Sequence, residues 1–232
     1  MQYAWFVWSL ILLGIWTAIY FFLKQKESRR EMLLVSFWSS VFGLTEPLFV
    51  PSYWSPPSLF DLAHRTGFDI ESFIFMFGVA GIAAVVYERI FPTKHQSMPS
   101  YEMARGRHRY HAWAILSAPI FFFLLYFLTD INPIYSTSIA LMIGGIFAWY
   151  CRPDLKNKMI VSAFLFTALY FFYFLTLIAI YPGYVQQVWN LSAISGILIF
   201  GIPLEEYIFA FSFGFIWSSV YEHIKWYKIK SI

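Results

Sequence analysis

The sequence predicts an all-α polytopic membrane protein of about seven transmembrane helices, built as a parallel tandem repeat of a three-helix unit joined by a linker helix. Three observations predict it. Hydrophobic residues make up 59% of the 232 positions and charged residues only 12%, against about 25% charged in soluble globular domains. Apolar segments recur at Tyr3–Leu23, Met32–Val50, Ile70–Tyr87, Trp113–Leu128, Ile134–Tyr150, Met159–Tyr181 and Pro203–Tyr221, each near the ~20 residues that a helix needs to cross a bilayer. Finally, the stretch from Gly67 to Ile90 returns 134 residues later, from Gly201 to Ile224, with ten of 24 aligned positions identical.

The first span has no basic residue ahead of it and no small-residue cleavage signature, so it reads as a retained helix rather than a signal peptide. Basic residues then follow every second span: Lys24 to Arg30, Arg89 to Arg109, Arg152 to Lys158, and Lys225 to Lys230. Fifteen of the sixteen Lys and Arg fall on one side, with only Arg65 opposite. The positive-inside rule therefore predicts an external N-terminus and a cytoplasmic C-terminus in the cytoplasmic membrane. The formal charge of +3 is accounted for by orientation and anionic head groups, and no nucleic-acid partner is expected. Cys151, the single cysteine, excludes a disulfide framework.

Ahead of the third span, Pro56 to Arg65 reads as a short interfacial helix with proline near its start. The polar stretch Pro92–His111 closes the first half on the cytoplasmic side. The organisation expected is a first three-helix repeat over residues 1–92, a cytoplasmic loop and connector helix over 93–130, and a second repeat over 131–232. The copies lie four spans apart and so run in the same direction, unlike inverted repeats. One straight helix from Leu191 to Glu222 would measure about 48 Å at 1.5 Å per residue. That exceeds the ~30 Å hydrocarbon core, so a break is expected near Gly201-Ile202-Pro203.

The recurring positions include acids: Glu71 with Glu205, and Tyr87-Glu88 with Tyr221-Glu222. Ionisable groups inside spans are expensive and usually functional. Two readings of Glu205 and Glu206 stand. Pro203 suits a first helical turn, where the helix dipole favours negative charge. That explains acids at a helix start but not their recurrence ahead of Tyr207-Ile208-Phe209 and Phe73-Ile74-Phe75. The alternative is a site, in which a desolvated, neutral carboxyl gives up a proton among rings whose faces attract cations.

Glu205, Phe209, Ser212, Ile216 and Ser219 share one helical face, matched by Glu71, Phe75, Gly78, Ile82 and Val85. Small residues there point to close helix packing. Tyr3, Trp5, Trp8, Tyr53, Trp54 and Trp113 read as interfacial anchors. Glu46, followed by Pro47, is a second acid or a kink feature. Glu88 and Glu222 are expected to pair at the interface beside Arg89 and His223. His108 and His111 lack a metal-ligand spacing, and no metal is expected.

Pro203-Leu204-Glu205-Glu206-Tyr207-Ile208-Phe209, closing with Tyr221-Glu222, resembles the lycopene cyclase domain family of small membrane cyclases. In that family a Pro-x-Glu-Glu/Asp motif opens a Phe-rich membrane helix that ends in Tyr-Glu. Its three-helix domain occurs as two chains or fused through an extra helix, similar to the organisation above. Trp189-Asn190 also looks family-like. The first copy, Asp69-Ile70-Glu71-Ser72, lacks the proline and the second acid.

The resemblance implies an isomerase that forms end rings on a linear carotenoid by acid-initiated carbocation cyclisation, with no net redox change and no organic cofactor. It implies catalytic carboxyls at Glu205 and Glu206 and, through the repeat, at Glu71, with Glu46 as a further candidate acid. The substrate contacts expected are Tyr207 and Trp189 from the motif, and Phe209, Phe75 and Ser212 from the faces those acids head. The partners implied are a lycopene-like polyene, membrane lipid, and either further copies of the chain or other carotenoid-pathway enzymes. The competing readings are a membrane lipid-binding or transport protein and a prenyltransferase-like enzyme acting on a polyprenyl lipid. Parallel halves argue against transport, and the Asp clusters that would hold metal and diphosphate are missing. A retinal protein needs a lysine inside its last helix, and Lys225 lies beyond it.

Overall fold

Helices form at all seven predicted positions in the computed structural model, which describes residues 1–231. In chain order they are α1 (Ala4–Phe22), α2 (Lys26–Ser40, continued by a 3-10 helix over Val41–Leu48), a short α3 (Leu62–Thr66) and α4 (Ile70–Ile90). After strand β1 (Thr93–Ser97) come α5 (Ser100–Met103), α6 (His111–Leu128), α7 (Pro133–Cys151), α8 (Lys156–Ile180) and α9 (Tyr184–Val188). A two-residue hairpin, β2 (Leu198–Ile199) with β3 (Ile202–Pro203), leads into α10 (Leu204–Lys225), and β4 (Tyr227–Ser231) ends the described chain.

Five helical segments are long and apolar enough to cross a membrane: α1, α4, α7, and the runs Gly106–Leu128 and Pro153–Ile180 that contain α6 and α8. The other two predicted spans fall short of that measure. α2 opens on Lys26, Glu27, Arg29, Arg30 and Glu31, and α10 carries Glu205, Glu206 and Glu222.

Local signals start the helices where they start. Asp69 caps α4, its carboxylate accepting the Ser72 N–H at 2.6 Å, which satisfies one of the orphan donors of a first turn. Pro133 opens α7 behind Asn132, whose side chain accepts from the Ile134 N–H. Ahead of α10 the chain reverses through Phe200 and Gly201, with φ of 53° and 81°, a conformation glycine adopts without steric penalty. This is the break that helix length demanded.

α4 packs chiefly on α2 and α1, α10 chiefly on α8 and α7, and α4 and α10 touch each other. Close approach depends on glycine. A Cβ on Gly78 would lie 2.7 Å from Leu12, and one on Gly145 would lie 2.3 Å from the Phe215 ring. Beyond α4 and α10, β1 and β4 pair antiparallel, with Lys94 opposite Lys230 and Gln96 opposite Lys228. Large apolar side chains, among them Phe21, Phe22, Trp38, Phe127 and Phe172, remain exposed on the outside.

Trp5 and Trp8 are buried in the core, so they are not interfacial anchors, whereas Tyr3 and Trp113 are 56% and 61% exposed. The Trp8 and Tyr173 rings stack at 4.3 Å. Trp8 Nε1–H donates to the Tyr173 carbonyl at 3.1 Å, and the Tyr173 hydroxyl donates to the Trp8 carbonyl at 2.9 Å. A buried aromatic needs its polar edge satisfied, and this reciprocal pair does so while joining α1 to α8.

Candidate functional site

A cavity of about 200 Å³ opens among α1, the 3-10 helix after α2, α4, α6, α7, α8 and α10. Trp5, Trp8, Phe75, Phe209, Phe213 and Trp217 wall it. Pockets that enclose a whole drug-sized ligand hold roughly 300–1,000 Å³, so this one suits one end of a long apolar molecule.

Glu206 heads the cavity and is buried. Its Oε1 accepts from the Tyr53 hydroxyl at 2.5 Å and from Trp189 Nε1–H at 2.9 Å, and its Oε2 accepts from the Tyr170 hydroxyl at 2.8 Å. Tyr170 comes from α8, while Tyr53 and Trp189 come from two loops. Those loops are laced together by backbone bonds from Asn190 N–H to the Tyr53 carbonyl, at 2.8 Å, and from Ser55 N–H to the Val188 carbonyl, at 2.9 Å. Burial and the adjacent Glu206 carboxyl hold the Tyr53 phenol well above its ordinary pKa. It therefore stays protonated, a hydrogen-bond donor.

Glu205 turns away from the cavity. Its Oε1 accepts from the Tyr135 hydroxyl at 2.6 Å and from the Ser195 N–H at 2.9 Å, and its Oε2 is buried without a partner. Glu71 is placed alike, its Oε1 accepting from the Leu59 N–H at 2.7 Å while Oε2 stays unpartnered. Each carboxyl thus ties its helix to the loop before it. Glu46 does line the cavity, and its Oε1 has no hydrogen-bond partner. Among the described residues none of Glu46, Asp69, Glu71, Glu205 and Glu206 forms an ion pair.

The cavity face of α10 is Glu206, Phe209, Phe213 and Trp217, one residue on from the face that starts at Glu205. Of the expected substrate contacts, Phe75, Phe209 and Trp189 line the cavity. Tyr207 and Ser212 do not: the Tyr207 hydroxyl donates to the Ile199 carbonyl at 3.0 Å, and Ser212 Oγ donates to the Phe209 carbonyl at 3.0 Å. Tyr53 and Tyr170 went unrecognised in the sequence. A tyrosine at a span end reads as an anchor, and one inside a Phe-rich helix reads as core.

A second polar cluster lies at the other end of the bundle. Lys158 Nζ is 3.1, 2.8 and 2.5 Å from carboxylate oxygens of Glu31, Glu88 and Glu222, and His95 Nε2 is 3.2, 3.4 and 3.1 Å from the same three residues. Glu88 also accepts from the Ser28 hydroxyl. Glu88 and Glu222 therefore do not pair beside Arg89 and His223. Successive helix positions are turned by about 100°, and the glutamates occupy the inward positions. Burial alone would lower the His95 pKa, but hydrogen bonds to Glu222, Glu31 and Glu88 prevail and raise it to about 12.

A buried carboxyl facing a cavity walled by aromatic rings is an arrangement able to stabilise positive charge on an apolar molecule. Residues 132–224 match the lycopene cyclase family model. The match takes in α7 to α10, with Tyr135, Tyr170, Trp189, Glu205 and Glu206, and it bears out the resemblance carried by Pro203–Phe209. It supports a carotenoid cyclase-like function. No curated protein and no solved structure matches the chain.

Proposed function

We propose that this protein is a membrane-embedded isomerase that closes end rings on a linear, lycopene-like carotenoid. The observation that carries the reading is Glu206, buried at the head of an aromatic cavity and held by three donors. Protonation of the terminal double bond leaves a tertiary carbocation. A neighbouring double bond attacks it, the new carbon–carbon bond closes the ring, and loss of a proton from a carbon next to the new cationic centre restores a double bond. No atom is gained or lost overall.

Glu46, which lines the cavity and keeps one buried oxygen without a partner, supplies the proton. Glu206, with an indole N–H and two phenols aimed at its oxygens, faces the cation and takes up the proton released. The faces of Phe75, Phe209 and Trp217 stabilise the positive charge in transit. Glu205 and Glu71 act as struts for the loops that frame the cavity.

Phe42 and Phe123 line the cavity and are also 42% and 45% exposed, which supports entry from lipid between the 3-10 helix and α6. The seven-span topology with the N-terminus outside belongs to the same proposal. α2 with its 3-10 continuation and α10 are the two further crossings, with Glu31, Glu46, Glu205, Glu206 and Glu222 buried against protein. The tandem repeat is likewise proposed, over 1–92 and 131–232 with 93–130 between. It is supported by the way α4 rests on α1 and α2 as α10 rests on α7 and α8.

Expression in a lycopene-accumulating bacterium, followed by pigment chromatography, tests the reading. Ringed product is expected from the native chain. Loss of a general acid or base typically costs about 10²–10⁴-fold in rate, so Glu206→Gln and Glu46→Gln are expected to leave the linear pigment unconverted. Undiminished ring formation in both variants would overturn the assignment, and pigment bound but never cyclised by the native chain would favour a binding protein.

A further inference from the structure

We propose that His108, His111 and Cys151 form a binding site for a borderline-soft divalent transition metal such as zinc. It is separate from the Glu206 cavity. Cys151 ends α7, about 15 Å along that helix from Leu141, the last of its residues to line the cavity, at 1.5 Å per residue. His108 ends a 3-10 turn and His111 is the first residue of α6, so the site would staple the start of α6 to the end of α7.

The ligand triangle is already closed. His108 Nδ1 and His111 Nδ1 lie 3.4 and 3.2 Å from Cys151 Sγ, and the three ligand atoms lie within 4.8 Å of one another. Tetrahedral zinc with Zn–N near 2.0–2.1 Å and Zn–S near 2.3 Å sets nitrogen and sulfur about 3.6 Å apart, so both nitrogen–sulfur distances already lie within a few tenths of an ångström of that value.

The surroundings orient the ligands. His111 Nε2 is 2.9 Å from the His223 carbonyl, which only accepts, so the ring proton resides on Nε2 and Nδ1 presents its lone pair to the sulfur. A backbone carbonyl on the far nitrogen is how metal-bound imidazoles are held. The His111 ring is clamped further, stacked on Trp226 at 3.7 Å. Arg152, next to Cys151, and Arg107, next to His108, are nearby cations that oppose metal binding, and of these Arg152 is the buried one. Its guanidinium is bound to Asp154 at 2.9 and 2.7 Å and to the carbonyls of Glu222 and Tyr227, so its charge is already countered.

Binding forms a metal–sulfur bond and breaks the S–H bond, releasing one proton to buffer. Water or another small donor completes the fourth position. The carboxylates of Glu31, Glu88 and Glu222 with His95 also come within ligand reach of one another, but Lys158 Nζ stands among them. That leaves the histidine–cysteine triangle as the better seat for a cation.

Titration of the chelator-stripped, detergent-purified chain with Co²⁺ and Zn²⁺ tests the proposal. One metal per chain is expected, with a thiolate-to-cobalt charge-transfer band, tetrahedral ligand-field bands and release of one proton. Cys151→Ser and His108→Gln are each expected to remove the charge-transfer band or weaken binding by more than ~10-fold, with the helical circular dichroism intact. Absence of the band and of stoichiometric metal in the native chain overturns the proposal, whatever the variants do. So does binding that survives both substitutions but is lost in Glu31→Gln, which would place the ion at the acidic cluster.

Discussion

Glu205 and Glu206 are neighbours in sequence, yet one faces a loop and the other a cavity. Glu205→Gln keeps an acceptor for the Ser195 N–H and the Tyr135 hydroxyl. It is expected to retain measurable ring formation in the pigment assay, while Glu206→Gln does not. The donors on Glu206 can be tested one at a time. Tyr170→Phe removes a single hydrogen bond to a charged group, worth about 1.5–3 kcal/mol. Cyclisation by Tyr170→Phe membranes should therefore slow by roughly one to two orders of magnitude, one order being about 1.4 kcal/mol, without loss of protein from the membrane. An unchanged rate would remove Tyr170 from the site. At this scale the acids were legible because Pro203-x-Glu-Glu is an unusual way to open an apolar helix. Their separate roles were not, since a helix buried on most of its surface hides which acid faces a hollow, and only packing distinguishes them.

At the scale of elements, the glycine contacts are the most exposed to test. A valine at Gly145 would push against the Phe215 ring, where even a Cβ comes within 2.3 Å. Overpacking of this kind typically costs about 1–3 kcal/mol. Gly145→Val should lower the thermal transition of the detergent-solubilised protein, and Gly14→Val, where nothing lies within 4 Å of a Cβ, should not.

Helix positions and the break before α10 could be read from apolar length and proline placement, whereas the short helix expected over Pro56–Arg65 starts only at Leu62, after a 3-10 turn over Leu59–Asp61, and runs to Thr66. The early start of α2 could not be read. Its charged first turns resemble a loop in sequence, and they fold as helix because Glu31 is buried against Lys158 and His95. Trp5, Trp8 and Tyr53 were misread for a related reason: an aromatic near a span end serves equally as an anchor or as a cavity wall.

For the molecule as a whole, Lys158 and His95 bind acids from α2, α4 and α10 at one place. Lys158→Met leaves three buried carboxylates short of a partner, and removal of one member of a buried ion pair costs about 3–5 kcal/mol. Denaturant titration of the solubilised protein should show a loss of that order. His95 adds a pH dependence. Its pKa is raised from 6.5 to about 12 by folding, so its contribution is complete below about 6.5, declines above that and vanishes above 12. Between pH 7 and 10 the native chain should lose more stability than His95→Gln. Equal losses would exclude a charged His95 in the cluster.

Apolar length made the five helices long and apolar enough to cross a membrane legible at this scale. The union of α2, α4, α8 and α10 at one buried lysine was not, because its members lie up to 191 positions apart, from Glu31 to Glu222.

The central claim, proton-initiated ring closure in the Glu206 cavity, is tested most directly by supplying lycopene to reconstituted membranes in heavy water and weighing the product. The mechanism predicts a pigment isomeric with its substrate in ordinary water and carrying one deuterium per ring formed in heavy water, with no such product from Glu206→Gln. A ringed product without deuterium, or one whose mass in ordinary water differs from that of its substrate, would contradict it.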